Sequence, residues 1–477
     1  MSDPLSVISL AVAARGGSVN GLPAGQLVAA GVTLLQRCPP LVRALAGRRS
    51  AVLLPTGHAF LTALAASEGR GAVLVNPLAA APEIAHQLRD AGAGAVFTTS
   101  ALAERIPSSV VQVHLDDAPR SARVLTGGET RVVDLGSHTG LELAGEADAP
   151  GRDEEAVVVY TSAMAGTPLG AILTHRNLLA NARATVQAAG NVAEDHVLAV
   201  LPFSHLFGLV VTALAPLLAG ARVTAPERFH PLRALEALET EGVTEIVGVP
   251  AIFLALLAAL ERRGTPLAAP ALRLCICGGA PLAEALQARW AERTGVELRQ
   301  GYGLTEGGPV CLFNPVDRAN ARGALGVPFP GVTVTVRDPA TGAERPDGEA
   351  GELWVRGENV SPGYVRGGEA GLARRDGWLC TGDLGVRRAD GTVAFAGVLK
   401  AMVTRNGFNV YPREIERAVL ELDGVRQARV TMVPDPEREH DIHLAVVGDV
   451  TADAVRRWCA ARLSAYKQPS EITVATA

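Results

Sequence analysis

The stretch QGYGLTE at Gln300–Glu306 does most to decide the fold, and a second stretch, TGD, lies further along at Thr381–Asp383. A tyrosine between two glycines presents a flat ring and an open backbone edge, which suit a purine. Thr305 and Glu306 add a hydroxyl and a carboxylate beside that ring. A carboxylate such as Asp383 can accept hydrogen bonds from both hydroxyls of a ribose. Together the two stretches predict a nucleotide site that is built from separate loops.

The rest of the chain surrounds these stretches with two kinds of pattern. Its 477 residues exceed what one hydrophobic core usually serves, which predicts two or more domains. As far as the region of Asn320, short apolar runs alternate with helical stretches, and this predicts parallel sheets that are covered on both faces. From Gly323 onward, alternating strands and Asp-Gly turns favour a small antiparallel barrel or sheet.

The predicted fold class is therefore α/β. We expect a large N-terminal domain, residues 1–397, that contains two parallel-sheet α/β subdomains and a small β-barrel. A small α+β domain, residues 398–477, would follow it as a C-terminal lid.

Composition excludes several classes of function. The net charge of −5 is spread without a basic stripe, which excludes nucleic acid as a partner. The six cysteines are scattered in a way that fits a reducing cytosol and no zinc site. Residues 5–14 are apolar but lack a basic flank, so no signal peptide is expected. The apolar run Leu206–Ala221 is short and interrupted by Gly and Pro, so it predicts a buried helix, not a membrane span. We expect a cytoplasmic protein.

Further short motifs follow in a characteristic order along the chain. They are Leu53–Pro55, Asn76–Leu78, Ala91–Thr98, Tyr160–Ser162, Thr174–Asn177, Leu201–Gly208, Gly278–Leu282, Gly351–Gly357 and Gly407–Glu416. One such motif matches by chance often enough to be weak evidence. So many in order, over nearly the whole chain, resemble the acyl-adenylate-forming superfamily. That superfamily includes acyl- and aryl-CoA synthetases, luciferases and the adenylation domains of peptide synthetases.

The resemblance implies where a nucleotide and a metal would bind. The implied nucleoside contacts are Gly279, Ala280, Gly301, Tyr302, Gly303, Leu304, Thr305 and Asp383. Tyr302 would stack on adenine, in a cleft at the carboxyl ends of strands, where open α/β sheets bind their ligands. Glu306 would bind Mg²⁺, because a carboxylate that faces phosphate oxygens requires a cation between them.

The phosphate loop departs from the family pattern. Family members read Ser/Thr-Gly-Thr-Thr-Gly-x-Pro-Lys-Gly there, whereas residues 162–170 of this chain read SAMAGTPLG. Leu169 replaces the lysine, and Met164 and Ala165 replace hydroxyl-bearing residues, so side-chain donors to phosphate are lost. The implied contacts that remain are Thr161, Ser162, Gly166, Thr167 and Gly170. The alternative is a loop that is retained only for folding.

The resemblance also implies an acid-binding pocket. A lone histidine in an apolar stretch, such as His205, is often a core residue, but in the family this position borders the substrate carboxylate. We favour that role because a neutral imidazole can donate a hydrogen bond in a dry pocket. The implied pocket residues are Phe203, Phe207, Val249, Phe253 and Gly308. Their apolar character predicts an aromatic or aliphatic acid.

The junction with the lid carries a second departure. The family pattern Gly-Arg-x-Lys-Asp/Glu appears here as Gly397–Ala401, in which Val398 replaces the arginine that would touch ribose and phosphate. Lys400 keeps the hinge position and is, with His205 and Glu306, a catalytic candidate. Gly407 and Phe408 resemble the lid segment that forms the acceptor channel in the thioester step.

These observations leave three functional hypotheses. The first is a ligase that uses ATP, Mg²⁺ and CoA to convert a small carboxylic acid into acyl-AMP and then into a thioester. The second is an ATP-impaired homologue that binds an acyl ligand or AMP, and the third is a biosynthetic enzyme with an amine or an acyl carrier protein as acceptor. Leu169, Val398 and the absence of the family's final Gly-Lys before Ala477 all concern phosphate handling. We therefore expect a ligase that prefers AMP or acyl-AMP to ATP.

Overall fold

The structure is a computed structural model. It describes residues 8–67, 71–116, 118–136, 151, 153–161, 168–366, 372–399, 403–435 and 437–475. Of the predicted site residues, Ser162, Gly166, Thr167 and Lys400 lie outside the described residues.

Helices and strands alternate through the first two thirds of the chain. The helices are α1 (Ile8–Ala13), α2 (Ala24–Arg37), α3 (Pro39–Leu45), α4 (His58–Ala66), α5 (Ala81–Ala91), α6 (His175–Ala189), α7 (Ala215–Ala219), α8 (Pro231–Thr240), α9 (Pro250–Arg263), α10 (Glu284–Thr294), α11 (Pro412–Leu420) and α12 (Ala452–Arg462). Strands up to residue 302 are β1 (Ser18–Val19), β2 (Leu22–Pro23), β3 (Arg49–Val52), β4 (Ala72–Leu74), β5 (Ala93–Thr98), β6 (Val111–His114), β7 (Ser121–Thr126), β8 (Glu129–Asp134), β9 (Glu155–Thr161), β10 (Leu169–Thr174), β11 (His196–Ala199), β12 (Arg222–Thr224), β13 (Glu245–Gly248), β14 (Leu274–Cys277) and β15 (Leu298–Tyr302).

The remaining strands lie after residue 302. They are β16 (Leu312–Phe313), β17 (Val327–Pro328), β18 (Val332–Arg337), β19 (Ala350–Gly357), β20 (Gly363–Tyr364), β21 (Arg374–Arg375), β22 (Trp378–Arg387), β23 (Val393–Val398), β24 (Val403–Arg405), β25 (Phe408–Val410), β26 (Val425–Asp435), β27 (Glu439–Gly448) and β28 (Glu471–Ala475).

Two large sheets confirm the predicted α/β class. One 9-stranded sheet has the order β20-β10-β9-β4-β3-β5-β6-β7-β8 and is parallel from β9 to β6. The other has the order β17-β16-β15-β14-β13-β11-β12-β1-β2 and is parallel from β15 to β1. The parallel strands read as continuous apolar runs, such as Val157–Val159, because helices cover both faces of each sheet.

The small antiparallel unit occupies the position predicted for the barrel. It is a 5-stranded sheet in which β18, β19, β22 and β21 follow one another and β23 pairs with β22. Within it, Asp383 of β22 lies directly opposite Val398 of β23. This register places Val398, where the family has an arginine, beside Asp383, the residue that is predicted to bind the ribose.

The predicted lid has its own hydrophobic core. That core includes Val410 and Ile415 near α11 and Leu444 of β27, and the 3-stranded sheet β26-β27-β28 supports it. The β24–β25 hairpin turns at Asn406 and Gly407, with φ of 52° and 76°, as a two-residue turn of the Asn-Gly kind requires. The boundary between residues 397 and 398 stays a prediction.

The apolar run after Leu206 forms a π-helical segment, Phe207–Leu214, which continues into α7. The residues of this segment are buried in the protein interior, as the sequence predicted. Among the described residues, no helix combines the length and the apolar character that crossing a membrane requires.

Candidate active site

The candidate site begins where parallel strands of the second large sheet end. Cys277, the last residue of β14, pairs with Gly248 of β13 on one side and Gln300 of β15 on the other. The segments that follow these strands, which begin at Val249 and Gly278, therefore leave the sheet side by side. This edge is the one at which open α/β sheets bind ligands.

The glycine turn after β14 packs against predicted pocket residues. A Cβ added at Gly278 would lie 3.0 Å from Cζ of Phe207, and one added at Gly279 would lie 3.4 Å from Cγ1 of Val249. Gly279 also has a φ of 79°, which favours glycine, and the half-buried Ala280 follows it. The structure thus brings the predicted adenine turn and part of the predicted acyl pocket together.

The two stretches that indicated a nucleotide site meet through a hydrogen bond. The Tyr302 hydroxyl donates to Oδ2 of Asp383 over 2.7 Å. Burial, reinforced by the charge of Asp383, raises the pKa of the Tyr302 phenol, so the hydroxyl remains a donor. Residues far apart in sequence are therefore held at one place, with Gly301 next to Tyr302 at the end of β15.

Several predicted site glycines have a packing reason of their own. A Cβ at Gly303 would lie 1.8 Å from the Pro309 carbonyl oxygen, and one at Gly308 would lie 2.2 Å from that of Asn359. Gly170 lies in β10 beneath the ring of Tyr160, whose Cζ would be 3.0 Å from an added Cβ. Close packing alone requires glycine here, so these positions do not by themselves indicate ligand contacts.

The Glu306 carboxylate is oriented by hydroxyls from two other segments. Tyr364 donates to its Oε1 over 2.7 Å and Thr161 over 3.3 Å. Glu306 lies in a 3₁₀ turn, Thr305–Gly307, which immediately follows Leu304. One oriented carboxylate beside threonine hydroxyls fits Mg²⁺, which proteins usually hold with one or two carboxylates and substrate phosphates. In the part of the chain that the structure describes, no group of three or more His, Cys, Asp or Glu could hold a metal.

His205 is held as a neutral donor. Its Nδ1 accepts a hydrogen bond from the Phe207 backbone N–H over 3.2 Å, which leaves the ring proton on Nε2. Burial lowers the pKa of His205 to about 4. The imidazole therefore remains uncharged at neutral pH, and Nε2–H can donate to a substrate carboxylate.

The predicted pocket phenylalanines occupy different cores. Phe203 packs edge-on against Phe60, with ring centroids 5.7 Å apart, in the core of the first sheet. Phe253 packs edge-on against Trp290 at 4.9 Å, in the core that also contains Phe207. Phe203 and Phe253 are fully buried, whereas Phe207 adjoins the glycine turn. Of the three, Phe207 is the one that the structure brings to the adenine turn.

A cleft of about 440 Å³ connects this region with the predicted lid. Thr161, His205 and Thr305 line one part of it, and Arg89, Arg417 and Arg462 also line it. The arginines come from α5, α11 and α12, so the cleft lies between the predicted N-terminal domain and the predicted lid.

The lid hairpin approaches the predicted acyl pocket. A Cβ added at Gly407 would lie 2.7 Å from Cγ1 of Val249, so this position requires glycine for close approach as well as for its φ. Phe408 stacks on Tyr466, with ring centroids 4.3 Å apart and planes at 18°. Gly407 and Val249 are therefore neighbours, whereas Phe408 packs on Tyr466.

A buried ionic cluster, Lys467 with Glu83 and Glu414, joins the lid to α5. Lys467 Nζ lies 2.9 Å from Oε1 of Glu83 and 2.5 Å from Oε1 of Glu414. The Ser464 hydroxyl also donates to Glu83. Burial disfavours the charged form of Lys467 and would lower its pKa. Interactions with Tyr466, Glu414 and Glu83 outweigh this effect, so the pKa of Lys467 is raised. Sequence reasoning missed Glu83, which no motif marks, and did not single out Glu414 within the lid motif.

Comparison with known proteins confirms the resemblance. Residues 44–365 match the model of the AMP-binding enzyme family. The chain is 34% identical over 442 residues to a feruloyl-CoA synthase from Amycolatopsis sp, which covers 89% of this chain and 84% of that protein. A malonyl-CoA ligase solved with methylmalonyl-CoA and AMP bound is 28% identical, with a TM-score of 0.81 and coverage of 97% of this chain and 96% of that one. The amide bond synthetase McbA from Marinactinospora thermotolerans is 26% identical, with a TM-score of 0.81 and coverage of 98% and 95%.

Proposed function

The chain belongs to the family of AMP-binding enzymes, and we propose that within it the chain is an ATP-dependent acid–thiol ligase that forms AMP. Its general function is that of an acyl-CoA-ligase-like adenylating enzyme. The proposal adds ATP as the activating nucleotide, Mg²⁺ as the metal and CoA as the acceptor.

One observation carries the proposal: a single cleft joins His205 and Thr305 to the arginines at the lid. In the first half-reaction a carboxylate oxygen of the acid attacks the α-phosphorus of ATP, which forms acyl-AMP and releases pyrophosphate. His205 Nε2–H would hold the carboxylate, while Tyr302 and Asp383 would hold the nucleoside. Glu306 and Thr305 would hold Mg²⁺, whose charge offsets that of the phosphates.

The second half-reaction uses the other end of the cleft. Arg89, Arg417 and Arg462 suit the phosphates of CoA, because guanidinium groups bind phosphate oxygens in pairs. The thiol would pass the hairpin at Gly407 and attack the acyl carbon. A C–S bond then forms, the C–O bond to phosphate breaks and AMP leaves.

The acid that we propose to test first is aromatic. Phe207 and Val249 give the region beside the glycine turn an apolar character, and both are almost fully buried. The similar protein from Amycolatopsis is a feruloyl-CoA synthase, so hydroxycinnamic acids form the first group of candidates. Short and long aliphatic acids form the second group.

The test is to incubate the purified protein with ATP, Mg²⁺, CoA and each acid, and to measure pyrophosphate, AMP and acyl-CoA. We expect at least one aromatic acid to give all three products, with acyl-CoA formation dependent on CoA and ATP. A His205→Ala variant should lose most of this activity. Failure to consume ATP with every acid, combined with tight binding of AMP, would favour the second candidate function.

That second candidate is an AMP- or acyl-binding protein with impaired ATP chemistry. Leu169, which pairs with Thr161, and Val398, which lies opposite Asp383, favour it. Both positions adjoin predicted nucleotide contacts, and neither side chain can donate to a phosphate.

A further inference from the structure

A serine hydroxyl lies next to His205 in the cleft. Ser204 directly precedes His205, and both residues line the cleft together with Thr161 and Thr305. Only 7% of Ser204 is exposed, so the residue reaches the cleft while most of its surface is packed against protein. The few polar groups that line an otherwise closed pocket are those that orient a bound ligand.

The Ser204 hydroxyl has no hydrogen-bond partner among the described residues. The hydroxyls of Ser9, Ser50 and Thr62 also lack partners, but they are completely enclosed. Ser204 differs from these residues because it lines the cleft, so a molecule bound there can contact it. Its hydroxyl has lost most of its access to bulk water and gains no bond from the protein, so a ligand oxygen that accepts from it would bind favourably.

The turn that carries Ser204 is fixed from both sides. Phe203 and Leu206, which flank Ser204 and His205, are fully buried in the core of the first sheet. The His205 backbone N–H donates to the Pro202 carbonyl oxygen over 3.1 Å, which closes the turn. The two residues between these anchors are therefore held at the cleft before any ligand arrives, as a preorganised site requires.

Two neutral donors lie side by side in this turn. His205 has its ring proton on Nε2, because Nδ1 accepts a hydrogen bond from the Phe207 backbone N–H. Ser204 adds an O–H group that no described residue engages. Adjacent neutral donors suit an oxygen that becomes negatively charged during a reaction, as in an oxyanion hole.

We propose that Ser204 is a catalytic residue whose hydroxyl donates, beside Nε2–H of His205, to the oxygen that stays on the acyl carbon. This inference rests on the proposed function. In the transfer step the CoA thiol loses its proton to solvent, and the thiolate attacks the acyl carbon while the carbonyl electron pair moves to this oxygen. The pair then returns, the C–O bond to phosphate breaks, and AMP leaves with the electrons of that bond. The two donors would stabilise the charge that this oxygen carries in between.

The test measures the two half-reactions separately. Adenylation is followed by ATP–pyrophosphate exchange, and transfer is followed by release of acyl-CoA from preformed acyl-AMP and CoA. Ser204→Ala removes the hydroxyl and little else. Ser50→Ala is the matched control, because Ser50 also has a buried hydroxyl without a partner but lies in β3, outside the residues that line the cleft.

We expect Ser204→Ala to lower the transfer rate at saturating CoA by ~10², which is the loss typical of one oxyanion donor. KM for CoA should be unchanged, because the donor acts on the acyl oxygen. Adenylation should fall less, because the carboxylate is already charged before that step. Tm should not fall, because the substitution breaks no hydrogen bond within the protein. Ser50→Ala should leave both half-reactions unchanged.

Three outcomes overturn the inference. If Ser204→Ala transfers the acyl group at the unmodified rate, the hydroxyl does not stabilise the oxyanion. If adenylation falls as much as transfer, or if Tm falls with both, the residue does not act selectively on the transfer step. Failure of the unmodified protein to adenylate any acid would instead overturn the proposed function, and it would be visible before any variant is compared.

Discussion

The nucleoside side and the acceptor side of the cleft are built by contacts between different parts of the chain. On the nucleoside side, Tyr302 bonds Asp383 and Tyr364 bonds Glu306, all within residues 1–397. On the acceptor side, Lys467 of the predicted lid bonds Glu83 of α5. We predict that the first set persists in every position of the lid, whereas the second breaks when the lid rotates away. Substitutions on the two sides should therefore affect different half-reactions.

The largest effect is expected on the nucleoside side, at Glu306. Glu306→Gln retains a side-chain oxygen that can accept the hydrogen bonds from Tyr364 and Thr161, but it removes the charge that would hold a cation. Adenylation measured by ATP–pyrophosphate exchange should fall by ~10²–10³, the loss typical of one preorganised charge. The control Glu349→Gln, an exposed carboxylate, should change nothing. An equal loss in transfer from preformed acyl-AMP would contradict the separation of the two sides.

The next effect is expected on the acceptor side, at Glu83. Glu83→Gln removes one of the two carboxylates that neutralise Lys467 in a buried site, and such losses are costly. Transfer from acyl-AMP should fall by about tenfold, while adenylation changes less. Protease nicking between Phe395 and Arg405, the predicted hinge region, should increase because the lid undocks more often. Unchanged nicking with reduced transfer would show that Glu83 acts on the acceptor directly.

A smaller and opposite effect is expected from restoring phosphate donors. We predict that the unmodified protein binds AMP or a non-hydrolysable acyl-AMP mimic more tightly than ATP. Leu169→Lys and Val398→Arg together should raise ATP affinity by about tenfold and leave AMP affinity less changed, because lysine and arginine supply charge to phosphates. Calorimetry with Mg²⁺ present measures both affinities. ATP bound by the unmodified protein as tightly as the mimic would refute the prediction.

The smallest effect concerns pH. The pKa of His205 is lowered from 6.5 to about 4, so the imidazole stays neutral through pH 6.5. Adenylation should therefore show no step at pH 6.5 from this residue. Its contribution to stability is complete above pH 6.5 and is lost as pH falls toward 4, because only the unfolded chain binds the proton in that window. A step in the rate near pH 6.5 that disappears in His205→Asn would contradict this.

Much of the fold and the nucleoside side could be predicted from sequence. Continuous apolar runs between helical stretches predict parallel sheets, and the structure has them. The motifs at Gln300–Glu306 and Thr381–Asp383 each consist of consecutive residues, so their functional groups can be read directly from the sequence. Asn406-Gly407 likewise specifies its own turn. These features depend on neighbouring residues, so a linear pattern contains them.

The acceptor side was decided by tertiary structure. Glu83 and Lys467 are separated by 384 positions and meet only because the lid docks on α5. Phe203 and Phe207 share one short motif, yet they pack into different cores. The helical segment that follows lies between these cores, because Leu209 packs in the core of Phe203 and Val211 in that of Phe207. The sequence by itself determined the elements, the turns and the local geometry of the predicted nucleotide motifs, because these depend on short-range sterics and burial. Only the tertiary structure decided which charges pair across the cleft, since that pairing depends on how distant surfaces come together.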